Sequence, residues 1–240
     1  MIRVAFLISG GGTTMEAIIK ATQNGTLKNV IPVLIIASKE NIEGVIKAKN
    51  LGISEKNILA INPKNFKTEE EFGEKIIKEC EERKVDFIGQ YGWLVKTPEN
   101  VCEAFKRRII NQHPGPLDNG RPDFGGAGMY GKRVHKARLE FVRRTNHDFW
   151  TEATSHRVTS KFDEGAILKI KRVPIFPDDT AEILQARMLP IEHEVQIEIL
   201  KDFLEGKVKE FYRDLPLIRK EEENILEESK ELAKKMYPNG

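Results

Sequence analysis

Between Ile2 and Asn111 the chain repeats one pattern: an apolar run of four to eight residues, a turn, and an amphipathic stretch. Ile2–Ile8 and Val30–Ala37 read as buried strands, and shorter runs follow at Ile58–Ile61, Asp86–Gly89 and Arg108–Asn111. Helical stretches separate them, from Thr13 to about Ala21, from Ile42 to Asn50, from Lys67 to Arg83, and from near Pro98, where proline suits a first turn. Strands covered on both faces are near-continuous apolar runs, and alternation with helices makes them parallel. The pattern predicts an α/β fold, a doubly wound and mostly parallel sheet. In such sheets ligands sit at the carboxyl ends of the strands.

The alternation lapses from Gln112 to Trp150, where prolines stand at 114, 116 and 122 and glycines at 115, 120, 125, 126, 128 and 131. Residues 106–148 carry 10 Lys/Arg against 4 Asp/Glu, a local net charge of +6. A helix is expected over about Met129–Arg144, then strands at Glu152–Val158 and Ala166–Val173. Leu184, Met188, Ile191, Val195 and Ile199 mark the core-facing stripe of a long helix from Thr180 to Phe203, capped by Asp178 or Asp179. Pro190 should kink that helix or break it in two. Leu215–Met236 reads as an exposed helix, with Ile225, Leu232 and Met236 on one face, packed on the body or on a second copy. The expected organisation is a catalytic domain over 1–205, with an insertion at about 118–150, and a helical extension over 206–240.

Composition removes several classes. The 240 residues are 40% hydrophobic, enough for a core, and 39 Lys+Arg against 37 Asp+Glu give only +2. That charge argues against a nucleic-acid-coating protein. Two cysteines are too few for a disulfide framework or a four-cysteine zinc site. No apolar run approaches the roughly 20 residues of a membrane-spanning helix. Val4–Ile8 is too short for a secretory segment. A soluble, cytoplasmic protein is expected.

Two places could carry chemistry. The first strand leads through Ser9-Gly10-Gly11-Gly12-Thr13-Thr14 into a helix, a turn whose free N–H groups and positive helix end attract phosphate. Met15 replaces the third glycine of a dinucleotide fingerprint, and no Gly-Lys-Ser/Thr follows, so both common nucleotide motifs fail. Asn111-Gln112-His113-Pro114 closes a strand. There Asn111 and His113 point the same way, an amide able to donate to an oxyanion beside an imidazole able to move a proton. Asp163, in a turn between two strands, could orient that imidazole, and His156 strengthens the set. The five histidines show no metal-ligand spacing, so no metal is expected. Trp93 and Trp150 suit packing better than stacking of a base.

These motifs, in this order, resemble the folate-dependent formyltransferases. The resemblance rests on Ile8–Thr14 with Glu16–Ile19, on Ala37-Ser38-Lys39 with Gly44 and Ala48, and on Asn111-x-His113-Pro114. It extends through the His156-to-Asp163 spacing to Asp179-Thr180 and Glu192-His193, covering about residues 1–205. It implies a Rossmann-like fold and transfer of a formyl group from 10-formyltetrahydrofolate, a co-substrate, to the amine of glycinamide ribonucleotide in purine synthesis. By position it implies Asn111, His113 and Asp163 as the catalytic set, with His156 behind them. Gly12, Thr13, Thr14, Pro114 and Glu192 would hold the phosphorylated amine. Tyr91, Trp93, Leu94, Val95 and Phe162 would hold the folate. Neither nucleic acid nor membrane is an implied partner, and a homodimer is left open.

The chain departs from the family pattern at Gly115-Pro116-Leu117-Asp118, where Ser-Leu-Leu-Pro is usual, and in the longer interval from His113 to His156. Alternatives are therefore a formyltetrahydrofolate hydrolase, a sugar-nucleotide N-formyltransferase, and a non-enzymatic phosphate-ligand module. Hydrolases usually carry an added N-terminal domain, and transfer to initiator tRNA an added C-terminal barrel. The chain starts at its first strand, and about 35 residues follow Leu204.

Overall fold

A computed structural model describes all residues, 1–240. Seven strands form one sheet in the order β3-β2-β1-β4-β5-β6-β7. The first five are β1 (Ile2–Ile8), β2 (Val30–Ala37), β3 (Ile58–Ala60), β4 (Phe87–Gln90) and β5 (Ile109–His113). Their pairings are parallel, β1 with β2 and β4, β2 with β3, and β4 with β5. The last two, β6 (Trp150–Arg157) and β7 (Ile167–Pro174), pair antiparallel. The helices are α1 (Thr13–Gln23), α2 (Glu43–Asn50), α3 (Glu69–Glu82), α4 (Glu99–Ala104), α5 (Lys132–Thr145), α6 (Ala181–Leu204) and α7 (Glu223–Met236). None is long and apolar enough to cross a membrane.

The chain divides into two units. The first comprises 1–111, 157–161 and 196–208. Its core is the row Ala5, Leu7, Leu34, Ile36, Ile88 and Ile109 from four adjacent strands, packed on Phe72, Ile76 and Cys80 of α3. Burial on both faces is why these strands are legible as apolar runs. Gly12 ends the β1 turn at φ +61°, and a β-carbon there would sit 2.9 Å from the α-carbon of Gly44 and 3.1 Å from Met15 Cε. Two backbones meet there with no room for a side chain. Gly12→Ala should therefore cost about 1–3 kcal/mol of stability, because both the left-handed backbone and the contact resist it. Urea unfolding of the variant measures this.

The second unit comprises 112–156, 162–195 and 209–240. Val134, Ala137, Phe141 and Val142 of α5 share a core with Val173, Leu184, Met188 and Val195, and with Leu226 and Ala233 of α7. The C-terminal helix is thus a core member rather than an exposed appendage. It starts at Glu223 after a 3₁₀ turn at Lys220–Glu222, eight residues later than the apolar pattern predicts. Its buried face is Leu226, Ser229 and Ala233, whereas Leu232 and Met236 are exposed. Pro190 does not break α6, which runs on from Ala181 to Leu204. Pro190 and Ala186 both lie on its exposed side, so water can take up the carbonyl that proline leaves unbonded. The helix is capped by Thr180, whose hydroxyl accepts from Ile183 N, while Asp179 binds Phe176 N and Arg187 instead.

Candidate active site

β5 brings its polar end, Asn111-Gln112-His113, to the carboxyl edge of the parallel strands, with Asn111 and His113 on one face. His113 is 2% exposed. Its Nδ1 lies 3.5 Å from Asp163 Oδ2, and its Nε2 lies 3.2 Å from the carbonyl oxygen of Phe124. Asp163 also faces His156, with Oδ1 3.4 Å from Nε2, and accepts the Gly126 N–H at 2.9 Å. One carboxylate is therefore held by two imidazoles and a backbone amide. The β6–β7 turn that presents it places Asp163 at φ +58°, a conformation that aspartate tolerates better than most residues.

Burial alone would raise the Asp163 carboxyl, but the His113 and His156 rings and the Gly126 amide outweigh it and hold the group below its ordinary range. Burial pulls the His113 imidazole down. Attraction from Asp163 and the Phe124 carbonyl opposes this without overcoming it. The resting pair is an ionised carboxylate beside a neutral imidazole. A neutral His113 is able to accept a proton. His135 of α5 is 1% exposed, its two ring nitrogens have no hydrogen-bond partner, and burial lowers it to about 3.

Glu192 lies buried on α6 and accepts a hydrogen bond from Gln112 Nε2. Burial raises its carboxyl to about 7, against the pull of Gln112. A carboxyl raised on folding keeps its proton where the unfolded chain has lost it. Its contribution is complete below about pH 4 and is lost as pH rises through about 7. Glu192→Gln removes that titration and retains an acceptor for Gln112. The variant should melt higher than the parent at pH 8, and the gain should vanish at pH 4, as a pair of thermal scans would register.

In the first unit, Gly12 opens α1 without a side-chain cap, so the helix N-terminus keeps N–H groups available, with Thr13 half-buried and Thr14 buried. Ser9 joins the turn to its neighbours, accepting from Ser38 Oγ at 2.8 Å and Leu94 N at 3.0 Å. Tyr91 and Trp93 are core residues. Tyr91 tilts on Phe6, and Trp93 stacks on Phe72 with ring planes 8° apart. Val95 packs beside them, and Leu94 is the exposed side chain of this run. Phe162, in the second unit, is exposed.

The basic stretch largely serves the second unit itself. Arg121 binds Asp118, Arg133 binds the carbonyls of Gly128, Tyr237 and Pro238, Arg143 those of Pro177 and Asp179, and Arg144 pairs with Glu228. Arg138 is enclosed by Trp150, Phe124 and Phe141, its guanidinium 4.8, 5.1 and 5.8 Å from their ring centres. Composition alone misses the Asp123-Phe124-Gly125-Gly126 loop as part of the site. Its signal is an acid and two glycines within reach of a His-Pro strand end. A β-carbon on Gly125 would stand 2.8 Å from Asp163 Cβ.

In the second unit a carboxylate stands between two histidines, one of them at the end of β5, an arrangement suited to moving a proton during group transfer. Residues 2–200 match the family described as Formyl transferase, and the chain belongs to it. It is 32% identical over 221 residues to phosphoribosylglycinamide formyltransferase, chloroplastic, of Vigna unguiculata, covering 92% of this chain and 66% of that protein. It is 33% identical over 192 residues to the trifunctional purine biosynthetic protein adenosine-3 of Gallus gallus, covering 80% of this chain and 17% of that one. Among solved structures, glycinamide ribonucleotide transformylase 1 of Symbiobacterium toebii superposes with a TM-score of 0.75 at 26% identity, covering 88% of this chain and 94% of its own.

Proposed function

We propose that the protein transfers the formyl group of 10-formyltetrahydrofolate to the primary amine of glycinamide ribonucleotide, a step of purine synthesis. The observation that carries this is the Asp163 carboxylate held between His113 and His156 beside the polar end of β5, in a chain of the formyl transferase family. The amine attacks the formyl carbon and a tetrahedral oxyanion forms. The bond to the folate nitrogen then breaks, and the proton released by the amine goes to that nitrogen. The Asn111 amide donates to the oxyanion. His113, neutral at rest, takes the amine proton, and Asp163 stabilises the imidazolium so formed. The N-terminus of α1 with Gly12, Thr13 and Thr14 receives the phosphate, and Glu192 receives the ribose hydroxyls, with Pro114 shaping that wall. Backbone groups of Tyr91–Val95, with Leu94 and Phe162 as the exposed side chains, receive the pterin end of the folate.

The test offers purified protein 10-formyltetrahydrofolate with glycinamide ribonucleotide, with a sugar-nucleotide amine, or with water alone, and follows release of tetrahydrofolate. Release that requires the ribonucleotide supports the proposal. Release without any amine identifies a hydrolase, and release with the sugar nucleotide alone identifies the other transferase. No release under any condition overturns the enzymatic reading.

A further inference from the structure

Two carboxylates flank one glycine beside His113, all within the second unit. A β-carbon on Gly125 would stand 2.8 Å from Asp163 Cβ and 3.2 Å from Asp123 Oδ1, so only a glycine lets the two acids come this close. Asp123 Oδ1 accepts Gly125 N at 2.8 Å, and Asp123 Oδ2 accepts Asp118 N at 2.7 Å. Asp118, 1% exposed, is fixed in turn by Arg121 and by Leu217 N. Phe124 N closes the same loop on the Pro116 carbonyl at 3.3 Å. The next residue along, Gly126, delivers its N–H to Asp163 Oδ2 at 2.9 Å. Both oxygens of Asp123 are thus committed to backbone donors, and the loop they hold ends on the donor that Asp163 receives.

An ionised carboxylate accepts on both oxygens, whereas a neutral acid turns one of them into a donor. Protonating Asp123 therefore sets an O–H against a backbone N–H and weakens one of its two bonds. We propose that Asp123 is a positioning residue for Asp163: by holding Gly125 and the backbone around it, Asp123 keeps the Gly126 N–H on the Asp163 carboxylate. That N–H is one of the groups that hold the Asp163 carboxyl low. Burial raises the Asp123 carboxyl to about 6, and the negative charge of Asp163 adds to the rise. The two backbone bonds and the positive charge of Lys230 on α7 oppose it. The Gly126 contact is then secure above that pH and loosens below it. Asp123 touches no reacting group and acts only through the loop. Its consequence for rate rests on the proposed formyl transfer; its consequence for the Gly126 contact does not.

The test is carried out on the full chain labelled with ¹³C′-glycine and ¹⁵N-glycine. Correlating each amide with the preceding carbonyl selects glycines that follow glycine, which are Gly11, Gly12 and Gly126. Gly126 is the one whose signal moves in Asp163→Asn. In the parent this signal should titrate with a midpoint at about 6. In Asp123→Asn an amide N–H stands where the neutral acid has its O–H. The signal should therefore already lie at pH 8 where the parent's lies in acid, and should lose that titration. At pH 8 the variant should show kcat lower by about 10²-fold, the effect expected of a misplaced reacting group, with KM for either substrate within about twofold. The gap should close in acid, because the parent then carries a neutral Asp123 as well. Asp123→Ser keeps one short acceptor and no titrating group, and decides the matter if Asp123→Asn does not fold. A Gly126 signal identical in folded variant and parent at pH 8 overturns the proposal. So does a rate gap of equal size at pH 8 and pH 5, which a merely structural role would give. If the parent shows no turnover, formyl transfer fails while the spectrum still tests the positioning role.

Discussion

Asp163→Asn is expected to lower kcat by about 10³-fold, with KM for the amine and the folate changed only a few-fold. The substitution isolates charge. Asparagine occupies the left-handed backbone at φ +58° at least as readily as aspartate, so the turn should be unaltered. Its amide can still accept from Gly126 N, but its other atom is now a donor aimed at an imidazole. Burial would then act on His113 without the opposing carboxylate, so its pKa should fall further and no change of pH should restore the rate. Stability carries a second signature. A carboxyl depressed on folding stabilises the native state above its unfolded value near 4, and that contribution is lost as pH falls through and below it. Asp163→Asn should therefore be less stable than the parent at pH 7, with the gap closing in acid. Single-turnover kinetics with paired urea titrations at pH 7 and pH 3 test both. Full turnover in the variant would remove Asp163 from the mechanism.

Arg138→Ala is expected to destabilise the protein by about 4 kcal/mol, the sum of a core cavity and two charge-assisted hydrogen bonds. Arg138 is 1% exposed and donates to the carbonyls of Trp150 at 2.8 Å and Asp148 at 2.7 Å. Burial lowers its pKa to about 10, with Asp148 and Glu152 opposing, so the side chain remains a cation at neutral pH. The three aromatic rings around it supply negative faces in place of solvent. Arg138→Met fills the volume and keeps none of the donors, so it should recover roughly half of the loss. Because the Phe124 ring packs against the guanidinium while its carbonyl faces His113, both variants should also lower kcat more than they raise KM. Chemical denaturation and steady-state kinetics measure these effects separately.

How much of this was legible in the sequence depended on what fixes each feature. β1 and β2 lie at the predicted residues because strands buried on both faces must be apolar almost throughout, which leaves a continuous run in the sequence. The meeting of His113, Asp163 and His156 follows from their places at strand ends and in the turn between β6 and β7, which topology brings together. The C-terminal helix was misplaced because Leu215 and Leu217 extend its apolar pattern, while Pro216 and the 3₁₀ turn interrupt it. The Asp118–Asp123 links were illegible because a carboxylate that binds backbone N–H groups leaves no periodic trace. The excess positive charge at 106–148 is legible as a number but not as a role, because much of it is spent on hydrogen bonds to carbonyls and on ion pairs within the same unit.

The touching backbones of Gly12 and Gly44 bear on how such a chain can drift. A β-carbon on Gly44 would lie 2.7 Å from Ile8 Cδ1 and 2.9 Å from the Gly10 carbonyl, so neither position can change to accommodate the other. The ordinary route of exchanging a large-small pair for a small-large one is closed, because both partners are already at the minimum size. The turn that opens α1 and the start of α2 thus form one inherited unit. In a library randomised at both sites, survivors should retain glycine twice.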